Sequence, residues 1–136
     1  IIHQDFVSSA PLAINLYYCL DDYTSANGAT TFIPGSHKEE KLTHPERGAI
    51  ACARAGSVIL FDSMIYHKAG LNQTNQSRAG LNHMFTLPFL KQQINYSIAV
   101  AEKPTDPLLA RRLGFESREY PSVSALREYR LARTLL

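Results

Sequence analysis

Residues 12–35 read Leu-Ala-Ile-Asn-Leu-Tyr-Tyr-Cys-Leu, then Asp-Asp-Tyr-Thr-Ser-Ala-Asn-Gly, then Ala-Thr-Thr-Phe-Ile-Pro-Gly. The first run, 12–20, is rich in β-branched, aromatic and apolar residues that fit a half-buried pleated surface, and it predicts a strand. Asp21-Asp22 ends that strand, and Asn27-Gly28 supplies the backbone freedom of a tight turn. Residues 29–33 give a second strand, closed by Pro34-Gly35. Strand, turn, strand is the grammar of an antiparallel sheet.

The same pattern continues outward. Residues 36–47 are polar and read as a loop with a short helical turn. Residues 49–53 make a weak strand, 57–61 an apolar strand opened by Gly56, 65–68 a short extended piece, and 78–87 a strand ended by Pro88. About seven short strands separated by turn signals predict an antiparallel sandwich or barrel. After Tyr96 the character changes. Residues 106–113 have helical spacing, with Pro107 in the first turn and Gly114 just past the end. Ser122 or Ser124 caps a final helix in which Leu126, Tyr129 and Ala132 recur on one face.

Bulk properties narrow the function classes. The chain has 136 residues, 45% hydrophobic and 19% charged, an ordinary globular composition that suits one compact domain. A net charge of +2 does not argue for nucleic acid or an anionic membrane as partner. The late arginines Arg111, Arg112, Arg118, Arg127, Arg130 and Arg133 are interspersed with Glu116, Glu119 and Glu128, which reads as a solvated helical face. Cys19 and Cys52 form no CxxC pair, so a disulfide framework is not expected and a cytoplasmic location is. No apolar run approaches the roughly 20 residues that span a bilayer. The chain opens on Ile1 with a motif two residues later, so upstream sequence is expected to be missing.

That motif is His3-Gln4-Asp5. On a strand, residues i and i+2 share a face, so the imidazole and the carboxylate can reach one ion while Gln4 points away. A third ligand must come from a distant strand, and His67 is the best candidate, between the apolar strand 57–61 and Gly70. Two His and one carboxylate on one side of an ion leave three positions open, the arrangement of non-haem iron(II) sites that bind a bidentate co-substrate and oxygen together.

The order of motifs carries a resemblance. His-Gln-Asp, a strand ending in Leu-Asp-Asp, Asn-Gly, Ile-Pro-Gly-Ser-His-Lys, Gly-Ser-Val-Ile-Leu-Phe-Asp, then His67 and Arg78, resembles the phytanoyl-CoA dioxygenase family over about residues 1–87. The resemblance implies a mainly β double-stranded β-helix, a cupin-like jelly roll, with C-terminal helices and without the N-terminal part of the family's domain. It implies a single catalytic fragment, with its barrel over about 1–97 and a helical segment over about 98–136.

The resemblance further implies iron(II) held by His3, Asp5 and His67, with 2-oxoglutarate and O2 as co-substrates. It places Arg78 on the distal carboxylate of 2-oxoglutarate, where a planar guanidinium that stays charged suits a carboxylate. Tyr17 and Asn15, which share a strand face, are expected to hydrogen-bond a 2-oxoglutarate oxygen. Asn82 is a weaker candidate. His37 belongs to a structural corner, His44 to a solvated loop and His83 to the face opposite Arg78, so none is assigned to metal. Where family members often have Ser two residues after the distal His, this chain has Ala69.

The expected reaction is hydroxylation of an unactivated C–H bond in a small organic substrate, coupled to decarboxylation of 2-oxoglutarate to succinate and CO2. Asp5 occupies the position that related halogenases leave to chloride, which favours hydroxylation. Two other readings stand beside it: a non-catalytic jelly-roll binding module, and a cupin-type metal enzyme that uses no 2-oxoglutarate. A sheet edge left open by truncation would favour self-association.

Overall fold

A computed structural model describes residues 1–116 and 120–134, and Arg118 and Glu119 of the expected charged face lie outside the described residues. The chain divides into two compact units, Ile1–Leu87 and Pro88–Leu136.

Two three-stranded antiparallel sheets build the first unit. In one, β1 (Ala13–Cys19) lies between β4 (Val58–Asp62) and β6 (Gly80–Thr86). In the other, β2 (Thr31–Phe32) lies between β3 (Ala49–Ile50) and β5 (His67–Lys68). The fold is a mainly β jelly roll with C-terminal helices. The sheets meet through aromatic rings: Phe32 of β2 and Phe61 of β4 have centroids 4.7 Å apart.

Alternation on β1 works as the sequence predicts. Ala13, Asn15 and Cys19 are buried on the inner face, and Tyr17 is partly buried there. Register then fixes which side chains stand beside them. Asn15 pairs with Phe61 and Met84, and Tyr17 pairs with Ile59 and Asn82. On the opposite face Leu16 pairs with His83, whose ring stacks on Phe85, so His83 faces away from the interior.

Most strands are shorter than their sequence suggests: the stretch expected over 29–33 pairs only at Thr31–Phe32 and that over 65–68 only at His67–Lys68. The weak strand over 49–53 stops at Ile50, because Cys52 N–H turns back onto the Ile50 carbonyl and Ala53 pairs with Tyr23 instead. The strand expected from Arg78 starts at Gly80, because the Asp21 carboxylate takes the Ala79 N–H. The polar stretch 36–47 holds two 3-10 turns, Ser36–Lys38 and Pro45–Arg47.

A close backbone crossing ties the loops together. Gly28 sits at φ 84°, and a side chain on it would press on the Gly70 carbonyl; one on Gly70 would press on Gly28 and Ala29. Only two glycines allow these segments to approach so nearly.

The second unit contains α1 (Tyr96–Ala99), α2 (Pro107–Arg112) and α3 (Val123–Thr134). Asp106 caps α2, its carboxylate accepting from the N–H groups of Leu108 and Leu109. Ser122 caps α3, its hydroxyl accepting from Ala125 N–H at 3.1 Å. The single turn α1 is too short for periodicity to reveal it. Among the described residues no helix is long and apolar enough to cross a membrane.

Candidate metal centre

The residues before β1 run antiparallel to the segment that enters β5 at His67. His3 and His67 exchange both backbone hydrogen bonds, at 3.0 and 2.9 Å, and Asp5 N–H donates to the Ser63 carbonyl at 2.9 Å. Residues paired in this way put their side chains on the same side. His67 therefore joins the face that His3 and Asp5 already share by alternation. Gln4, on the opposite face, donates its side-chain N–H to the Met64 carbonyl at 2.6 Å and fastens the two segments.

One ligand atom from each of His3, Asp5 and His67 lies within 4.8 Å of the others. Asp5 Oδ1 is 3.7 Å from His3 Nε2 and 3.9 Å from His67 Nε2. Separations of that size leave a point roughly 2.5 Å from all three atoms, so a metal held at about 2.0–2.2 Å by N and O donors needs each side chain to close by only a few tenths of an ångström. Both rings are oriented for it. His67 Nδ1 lies 3.0 Å from the Ile65 carbonyl and His3 Nδ1 lies 3.4 Å from the Ile1 carbonyl, contacts in which a proton on Nδ1 would leave each Nε2 to bind a metal. Two neutral imidazoles and a carboxylate fit a divalent transition metal with three positions left open.

The three groups differ in exposure. The His67 side chain is 5% exposed, wedged among Phe32, Phe61 and His3, whereas the His3 side chain is 52% exposed and marks the open side of the site. Asp5 is partly buried and held from behind: Asn15 Nδ2 donates to Asp5 Oδ2 at 2.7 Å and to Ser63 Oγ at 2.8 Å. Asn15 is fully buried, and its Oδ1 has no hydrogen-bond partner among the described residues. A buried acceptor left unpaired carries a penalty of about 1–3 kcal/mol. Turning the amide over would set that oxygen against the Asp5 carboxylate, which is worse. With both N–H groups so used, the Asn15 amide has none to offer a 2-oxoglutarate oxygen.

Tyr17 stands two residues along the same face and packs edge-on against Phe61, centroids 4.8 Å apart. Burial pushes its hydroxyl pKa up, and the Asp5 carboxylate and Tyr23 add to the rise, while the Arg78 guanidinium opposes it. Tyr17 thus stays a protonated hydrogen-bond donor. Arg78 has its guanidinium carbon over the Tyr23 ring, 3.8 Å from the centroid, and donates from Nε to the Asn27 carbonyl and from Nη2 to the Gly28 carbonyl, each at 3.3 Å. These contacts fix the plane of the guanidinium.

Sequence reasoning did not single out Tyr23, Ser63 or the clamping role of Gln4. Tyr23 follows a pair of aspartates and Ser63 follows a strand end, and neither spacing nor composition marks such positions in one sequence. His37 and His44 lie apart from the metal cluster: His37 is in the first 3-10 turn and His44 pairs with Glu46 at 3.0 Å.

The profile of the family described as phytanoyl-CoA dioxygenase (PhyH) matches residues 2–80, more than half of the chain. The chain belongs to this family. The chain is 41% identical over 108 residues to uncharacterized protein Rv1501 of Mycobacterium tuberculosis, covering 74% of this chain and 39% of that protein. It is 34% identical over 110 residues to dioxygenase FUM3 of Gibberella moniliformis, covering 77% and 37%. It is 27% identical over 118 residues to the Fe(II)/2-oxoglutarate-dependent dioxygenase nvfF of Aspergillus novofumigatus, covering 83% and 40%. The chain thus spans about two-fifths of the length of the curated relatives it matches.

Among solved structures, EvdMO1 superimposes with a TM-score of 0.58 at 29% identity, over 65% of this chain and 23% of that one. The non-heme alpha ketoglutarate dependent epimerase SnoN, from nogalamycin biosynthesis, does so with a TM-score of 0.51 at 28% identity, over 62% and 37%.

Proposed function

We propose that this chain carries the catalytic centre of an Fe(II)/2-oxoglutarate-dependent dioxygenase that hydroxylates an unactivated C–H bond of a small organic substrate. In this reading His3, Asp5 and His67 hold the iron, Arg78 binds the distal carboxylate of 2-oxoglutarate, and Tyr17 donates to one of its oxygens. The observation that carries the reading is the meeting of two imidazole Nε2 atoms and one carboxylate oxygen within 4.8 Å on a paired backbone. The nvfF and SnoN relationships support the same co-substrate.

Bound iron(II) supplies the activation of O2, coupled to decarboxylation of 2-oxoglutarate to succinate and CO2. The chain's own residues do the rest. Arg78, seated over Tyr23, offers a planar fork to a carboxylate, and binding there orients the opposite end of the co-substrate toward the metal. The Tyr17 hydroxyl, kept protonated by burial, can donate to a co-substrate oxygen. Phe32 and Phe61 wall the inner side and exclude water from behind His67. The Asp5 carboxylate fills the position a halide would need, which favours hydroxylation.

The reading is tested by adding Fe(II), ascorbate and 2-oxoglutarate to the chain in air, with alcohols, acids and acyl thioesters as trial substrates, and measuring succinate. Fe(II)-dependent succinate, with a sharply raised 2-oxoglutarate requirement in Arg78→Ala, is the expected result. No succinate with any trial compound would favour a non-catalytic module, and an Arg78→Ala requirement equal to the parent's would remove the co-substrate assignment.

A further inference from the structure

Asp5 has two carboxylate oxygens, and they have different surroundings. Oδ1 faces the two imidazole Nε2 atoms. Oδ2 is turned the other way and accepts the Asn15 amide at 2.7 Å. The amide is itself pinned: its second N–H is on Ser63 Oγ at 2.8 Å, Asn15 is fully buried in the middle of β1, and Ser63 is fully buried too. The Asp5 backbone is tied to the same residue, through the Ser63 carbonyl. Carboxylate and amide therefore share one anchor, and the Asp5 side chain cannot rotate without breaking a charge-assisted hydrogen bond.

The consequence lies in what an unrestrained carboxylate does. A carboxylate can bind a metal through one oxygen or both. If Asp5 used both, the centre would lose one of the three open positions, and a co-substrate that needs two together with oxygen would compete with the protein's own ligand. We infer that Asn15 is a positioning residue that confines Asp5 to metal binding through Oδ1 alone and so keeps the co-substrate's position open. The unpaired, buried Asn15 Oδ1 agrees with this, since the amide keeps an orientation that satisfies Asp5 at its own expense. The inference rests on the metal-centre reading above, and moves Asn15 from a contact on 2-oxoglutarate to a contact on the ligand.

The test uses the 136-residue chain loaded to saturation with Co(II), whose visible absorption reports coordination number, and titrates it with 2-oxoglutarate. Saturation removes any change in metal affinity from the comparison. Asn15→Leu, which keeps the branched shape but has no donor, should raise the 2-oxoglutarate Kd by about tenfold or more. Its Co(II) spectrum before titration should differ from the parent's, because a second carboxylate oxygen replaces a solvent ligand on the metal. Ser63→Ala, which loosens the amide without removing it, should shift both in the same direction by a smaller factor. Far-ultraviolet circular dichroism checks folding; should Asn15→Leu fail it, Ser63→Ala decides alone.

A Co(II)-saturated variant with the parent's spectrum and a Kd within about twofold of the parent's would overturn the inference, because a merely structural Asn15 predicts that result once metal occupancy is equal. A parent chain that takes up no Co(II) would overturn the metal-centre reading and this inference with it. A parent that binds both metal and 2-oxoglutarate, beside unchanged variants, would sink the inference alone.

Discussion

Gly70→Ala is the sharpest test of how the fold brings its loops together. An added Cβ would lie 2.8 Å from Gly28 C and 2.9 Å from Gly28 Cα, and closer still to the Ala29 carbonyl oxygen. All three are backbone atoms, so no side chain can rotate to make room. Overpacking of a tight site is destabilising by about 1–3 kcal/mol, and with backbone on every side the upper end, about 3 kcal/mol, is expected. For a unit of 60–100 residues such as Ile1–Leu87, each kcal/mol moves Tm by about 4–8 °C, so a fall on the order of 12–24 °C should follow. Gly56 provides the internal control. It sits at φ 84° with no atom within 4 Å of the point where a Cβ would stand, so Gly56→Ala meets only the left-handed backbone penalty of about 1–2 kcal/mol. The chain has seven tyrosines and no tryptophan, so urea unfolding is followed by tyrosine fluorescence and circular dichroism, with free energies compared at equal m. A Gly70→Ala protein no less stable than Gly56→Ala would refute the close crossing.

Other outcomes follow from the same structure. Arg78→Lys keeps the charge but loses the planar fork and the seat on Tyr23, so 2-oxoglutarate affinity should fall by about tenfold or more, with metal uptake unchanged, by calorimetric titration. The raised Tyr17 pKa means that the folded chain holds this proton more tightly than the unfolded chain does. Its contribution to stability is complete below the ordinary tyrosine value and is lost as pH rises through the folded value. Alkaline unfolding of the parent above pH 10 should therefore be steeper than that of Tyr17→Phe, compared by Tm across the alkaline range. Asp106→Ala should weaken α2 by about 0.5–2 kcal/mol, seen as lost helical ellipticity, with the metal site unaffected.

Several features were legible because they depend on neighbours along the chain. Alternation in residues 12–20 placed Asn15 and Tyr17 on one face, and the Asn27-Gly28 turn, the helix opening at Pro107 and the cap at Ser122 obey chemistry that spans only a few residues. His3 and Asp5 could be put on a common side by their spacing alone. The 49–53 strand was overextended because its end is set by a turn at Cys52 and by a partner, Tyr23, that no local pattern announces.

By itself, then, the sequence determined the β character, the turn positions, the His-x-Asp pair and the order of motifs that marks the PhyH family. Only the tertiary structure decided that His67 lies opposite His3, that Arg78 rests on Tyr23, and that the Asn15 amide turns toward Asp5. The reason is range. Strand alternation and turn geometry act within a few residues, whereas register between distant segments is fixed by which backbone groups exchange hydrogen bonds and by which buried polar atoms must be satisfied at once.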